Sequence, residues 1–72
     1  MNQEIIGTID YLIDQESGYI KGEDGNLYYF SIFNFISTIE EPIQNIVGLK
    51  VNFKSNYNSL LDLYTASLIE KV

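Results

Sequence analysis

The chain of 72 residues contains no cysteine, no histidine and no arginine. Without cysteine, neither a disulfide nor a thiolate metal site can add stability. Without histidine or cysteine there is no nucleophile–base pair, and Ser17 and Ser31 have no partner base in sight. Glu40 and Glu41 are adjacent in a segment that stops at Pro42, and nothing brings them to a substrate. The sequence therefore points away from an enzyme, and no catalytic residue is assigned. The positive charge is limited to Lys21, Lys50, Lys54 and Lys71, set against ten acidic residues, for a net charge of −6. Nucleic-acid binding normally draws most of its affinity from phosphates neutralised by Lys and Arg, and this chain has little to offer there. No run of eighteen apolar residues occurs, so no spanning helix is expected. The opening Met-Asn-Gln-Glu is not basic and no apolar signal region follows it, which makes a cytoplasmic location the expectation. Asp10, Asp14, Glu16, Glu23 and Asp24 cluster around two turns without the spacing of a calcium loop. They read as turn formers and solubilisers, and neither a metal nor another cofactor is expected.

What the chain does have is apolar and aromatic. Hydrophobic residues make up 46% and aromatics 14%, and six of the ten rings are tyrosine. That is enough for a core in one domain over residues 1–72, although a domain of this size buries only about 60% of the surface its unfolded chain exposes. Residues 1–4 are a polar lead-in. The stretch from Ile5 to Ser31 reads as three short strands joined by tight turns. Ile5–Ile13 is the first strand, and apolar residues on both of its faces suggest a bulge that reassigns the far end. Asp14–Ser17 is a turn, Gly18–Lys21 the second strand and Asn26–Ser31 the third. Asp24-Gly25 between them is a hairpin signal, because glycine accepts positive φ without steric cost. Alternation places Tyr19 and Lys21 on one side of the second strand, and Tyr28 and Phe30 together on one side of the third.

The segment from Ile32 to Ile46 is irregular. Ile32, Phe33, Phe35, Ile36 and Ile39 are spaced like one helical face, which Pro42 prevents from extending. A helical turn or a long packed loop that plugs one barrel end is expected there. Val47–Ser55 alternates Leu49, Val51 and Phe53 with Lys50, Asn52 and Lys54, a strand with one buried and one wet face. Asn56–Ser59 forms a turn, and Leu60–Ile69 the fifth strand, in which Ala66 marks a crowded interior position. Many short strands rich in tyrosine suggest closure, which gives every strand a partner. The expected fold is all-β: a small five-stranded antiparallel barrel of OB type.

Several motifs resemble those of the cold-shock domain family. Gly7-Thr8-Ile9-Asp10-Tyr11-Leu12 resembles its opening Gly-x-Val-Lys-Trp-Phe, and Gly18-Tyr19-Ile20 its Gly-Phe-Ile. Asp24-Gly25 sits at the family's Asp-Gly turn. Leu27-Tyr28-Tyr29-Phe30-Ser31 resembles Val-Phe-Val-His-Phe-Ser, and Gly48-Leu49-Lys50-Val51-Asn52-Phe53 the fourth-strand Gly-x-x-Val-x-Phe. The likeness runs from about Gly7 to Ile69. It implies binding of single-stranded RNA or DNA by bases stacked on rings of the first three strands. Carried over by position, Tyr11, Tyr19, Tyr28 and Phe30 would stack bases and Lys21 would meet a phosphate. The chain departs from the family in being acidic. Asp10 stands where the family has a lysine, Gln15-Glu16-Ser17 replaces Lys-Gly-Phe, and the histidine is absent. These departures motivate a second expectation, that the same face binds a protein partner or a second copy of the chain, with an acidic mimic of nucleic acid as one form of it.

Overall fold

Runs of alternating apolar and polar residues become strands wherever one side can be buried. A computed structural model describes residues 3–37 and 39–72. Met1 and Asn2, in the expected lead-in, and Thr38, in the expected loop, lie outside the described residues. Five strands form: β1 (Gln3–Leu12), β2 (Ser17–Gly22), β3 (Leu27–Ser31), β4 (Lys50–Asn58) and β5 (Leu63–Lys71). They close into a barrel in the order β1-β2-β3-β5-β4, an all-β, OB-fold-like arrangement. Four neighbouring pairs are antiparallel, whereas β3 and β5 meet in parallel at Tyr29 and Thr65. The antiparallel barrel expected from sequence is thus formed, with one parallel pair. A closed ring with an odd number of strands cannot alternate direction all the way round, so one pair must run parallel.

The core draws on every strand. Ile9, Ile20, Tyr28, Phe30, Val51, Phe53, Ala66 and Ile69 are buried, joined by Ile46 from the loop before β4. Ala66 occupies the interior position assigned to it from sequence. Strict alternation fails at two bulges. In β1, Ile9 pairs with Ile20 and Tyr11 with Tyr19, so Asp10 is the extra residue and both Ile9 and Tyr11 keep their proper sides. In β5 the pairing shifts opposite Asn52–Lys54. Leu68 takes a φ of 49° there, and Ile69 rather than Leu68 enters the core. A bulge inserts one residue and so exchanges the two faces beyond it.

The connection from β3 to β4 covers one end of the barrel. It holds two single-turn 3₁₀ helices, Ile32–Asn34 and Ile43–Asn45. The first is capped by Ser31, whose Oγ accepts from the Phe33 N–H at 3.2 Å, while Asn34 Oδ1 accepts from the Ser31 N–H at 2.9 Å. Phe35 leaves this turn to form a parallel bridge with Ile69, and the Ile36 N–H donates to the Ile69 carbonyl at 2.8 Å. Phe35, Ile39, Ile43 and Leu49 pack on the core, as a plug should. Phe33 and Ile36 instead face outward, because the helical spacing does not persist past one turn. The β4–β5 reversal lies at Ser59–Asp62, about three residues later than the turn expected from sequence.

Candidate nucleic-acid interface

The β2–β3 hairpin sets the register of the candidate site. Gly22 donates to the Asn26 carbonyl at 2.9 Å and Gly25 to the Gly22 carbonyl at 3.0 Å. Gly25 has a φ of 92°, a conformation that glycine adopts freely. Counting outward from this turn pairs Lys21 with Leu27, Ile20 with Tyr28 and Tyr19 with Tyr29. The bulge at Asp10 then sets Tyr11 opposite Tyr19. Directly opposed residues point to the same face, so Tyr11, Tyr19 and Tyr29 form a row across three strands on the outside of the barrel.

The rings touch along this row. Tyr11 and Tyr19 have centroids 5.3 Å apart with an interplanar angle of 35°. Tyr19 and Tyr29 are 5.9 Å apart and close to edge-on, at 72°. Tyr11 is 46% exposed, and Tyr19 and Tyr29 are half-buried between their neighbours. A second row lies beside the first. Lys50 pairs with Thr8, Thr8 with Lys21, and Lys21 with Leu27. Both lysines are exposed. The outer wall thus carries a band of rings next to a row with two cations. The exposed Asp10 lies in the bulge immediately before Tyr11 and opposes them.

Of the side chains expected to bind, Tyr11, Tyr19 and Lys21 occupy this wall. Tyr28 and Phe30 do not, and this corrects the sequence-based assignment. Phe30 has 0% of its surface exposed and packs edge-on to Phe35, while Tyr28 has 2% exposed and packs on Phe53 and Tyr64. A base could reach neither ring without opening the barrel. The Tyr28 hydroxyl does reach the rim, where it donates to Asp24 Oδ2. Burial raises the Tyr28 hydroxyl above its ordinary value, and the hydrogen bond to Asp24 raises it further. Burial pushes the Asp24 carboxyl upward, but the Tyr28 hydroxyl and the Asn26 backbone and side-chain amides outweigh it, and the net shift is downward. This pair is a clasp on the hairpin rather than part of a binding face.

Tyr29 is the ring that sequence reasoning missed. The signal was available in the four-residue turn, because its pairing fixes Tyr19 opposite Tyr29. A slip of one residue in a strand sends every side chain to the other face, and the aligned motif had placed Tyr28 where Tyr29 belongs. The β1–β2 turn at the end of the row is held by Asp14. Its Oδ1 accepts from the Glu16 N–H at 2.8 Å and from Ser17 Oγ at 2.9 Å. These bonds, the Glu16 amide first, hold the Asp14 carboxyl below the ordinary carboxylate range. No helix among the described residues is long and apolar enough to cross a membrane. No protein-family model matches the chain, and no curated protein does either.

Proposed function

We propose that the chain binds single-stranded RNA or DNA weakly, through Tyr11, Tyr19 and Tyr29, with Lys21 and Lys50 meeting phosphates. The tyrosine row carries this reading. Its rings span three adjacent strands on the outer wall of an OB-fold-like barrel. Stacking is worth about 1–3 kcal/mol per base and tolerates any sequence, so a few rings supply affinity where lysines are scarce. The resemblance of the β1–β3 motifs to the cold-shock domain supports the same face, with Tyr29 in place of Tyr28 and Phe30. A cytoplasmic setting, where such strands occur, fits this role.

The test is a titration of fluorescent oligothymidine and oligouridine at low salt, with Tyr19→Ala and Tyr29→Ala alongside. Saturable binding that either substitution weakens supports the reading. The absence of binding at high micromolar protein overturns it. Asp10, exposed beside Tyr11, favours a second reading, in which the same wall docks a protein or a second copy. Tyrosine is enriched at protein interfaces. Light scattering that shows a dimer, dissociated by Tyr11→Ala and indifferent to oligonucleotide, would select it.

A further inference from the structure

A groove runs over the plugged end of the barrel, between the β3–β4 connection and the end of β5. Its volume is about 340 Å³. The floor is formed by the buried Ile46 and Ile69, and Phe35, Ile39 and Leu49 contribute half-buried sides. This is apolar surface left open by a loop that covers the barrel end with single turns rather than a full helix. The rim is mainly acidic: Glu40 and Glu41 stand on the loop side and Glu70 on β5, with Lys71 as the one cation among the described lining residues. None of these residues belongs to the tyrosine row.

We propose that this groove is a docking site for a basic peptide segment of another protein, one that inserts a large apolar side chain between flanking lysines or arginines. The apolar floor would take the anchor, as apolar pockets with few polar groups do. The three rim carboxylates would meet the flanking cations, and a net charge of −6 on so small a domain would steer a basic partner from a distance. Charge also disfavours a second copy of the chain as occupant. Among the described residues, the most exposed apolar knob is Leu60-Leu61 on the β4–β5 turn, and Asp62 follows it directly. Inserting that knob would bring like charge to the rim.

The experiment uses the whole chain, labelled with nitrogen-15, and three synthetic peptides. One carries a Leu-Phe pair between Lys-Lys doublets. The second replaces the doublets by Glu-Glu, and the third replaces Leu-Phe by Ala-Ala. The first peptide should shift amides at Phe35, Ile39, Glu41 and Glu70 and leave those of Tyr11, Tyr19 and Tyr29 in place. The double substitution Glu40→Gln and Glu41→Gln, at exposed positions, should weaken it about three- to tenfold at low salt. Either control peptide should bind more weakly still. Equal affinity for the acidic peptide, shifts confined to the tyrosine row, or no binding at millimolar peptide would each overturn the proposal. So would a dimer in light scattering that Ile39→Asp dissolves, since that would assign the groove to a second copy. Tyr19→Ala should not change peptide binding, which separates this site from the proposed nucleic-acid face.

Discussion

Tyr28 and Tyr29 are adjacent, identical in chemistry and opposite in role. Tyr28 lies inside, in edge contact with Phe53 and Tyr64, and Tyr29 lies outside against Tyr19. Substitutions should separate them. Tyr28→Ala, which opens a cavity against Phe53 and Tyr64 in the core, should cost about 3–5 kcal/mol in urea unfolding, as for other large core rings. Tyr29→Ala should cost about 1 kcal/mol, the worth of a half-buried cross-strand pair, and should weaken oligonucleotide binding far more than it weakens the fold. The Asp24–Tyr28 clasp predicts a pH dependence at both extremes. The Asp24 carboxyl lies below its ordinary 3.8, so its contribution is present above that value and fades as acid titrates it through its lower folded value. The Tyr28 hydroxyl lies above its ordinary 10.0, so its contribution is present below that value and fades as alkali titrates it through its raised folded value. The clasp's contribution to stability should therefore be constant between these limits. Asp24→Asn should reduce the acid loss, and Tyr28→Phe the alkaline loss.

At the scale of the elements, β1 does most to define the outer wall. Its bulge at Asp10 lets Ile9 face in and Tyr11 face out. Deleting Asp10 would remove the extra residue and leave Ile9 followed directly by Tyr11, so strict alternation would keep Ile9 inside, Tyr11 outside and Leu12 inside. The deletion variant is expected to keep the Tyr11–Tyr19 contact, with tyrosine ring resonances little changed, whereas one residue inserted after Asp10 should send Tyr11 toward the core side, lose that contact and unfold at markedly lower urea. Earlier in the same strand, Gly7 lies opposite Gly22 where β1 and β2 approach closely. A Cβ built at Gly7 would meet the Lys21 carbonyl oxygen at 2.6 Å and Ile20 Cγ2 at 2.8 Å. The carbonyl belongs to the backbone and cannot swing aside. Gly7→Ala should therefore destabilise by about 1–3 kcal/mol, the usual cost of overpacking, in denaturant titration.

Across the whole molecule, charge limits what the tyrosine wall can do. Only Lys21 and Lys50 lie in the row beside the rings, so few phosphates can be neutralised. With about two phosphate contacts, the logarithm of affinity should fall with the logarithm of salt at a slope of about −1.4, the single-strand value for two charges. A slope several times steeper would mean that affinity comes from cations other than these two. Removing Lys21 by Lys21→Ala should flatten the slope by about half, in the same fluorescence titration, while leaving stability nearly unchanged.

The amino-acid pattern by itself determined that the chain is all-β, that five strands close on one another, and that the β3–β4 connection plugs an end. Period-two alternation around Val51 and Phe53, the Asp24-Gly25 turn and the need to bury Ala66 are local or nearly local facts, and local physics suffices for them. Which rings face water was a matter of register. That is settled by how strands pair across the barrel, and bulges at Asp10 and near Leu68 reset the count in a way that composition does not announce. The β2–β3 turn already set Tyr29 opposite Tyr19, but the tertiary structure alone decided that the side of Phe30 and Tyr28 is the interior and that Lys50, distant in sequence, stands in the row beside the outer rings. The physical reason is closure: each strand must satisfy two neighbours at once, and only the assembled ring fixes which side of every residue is inside.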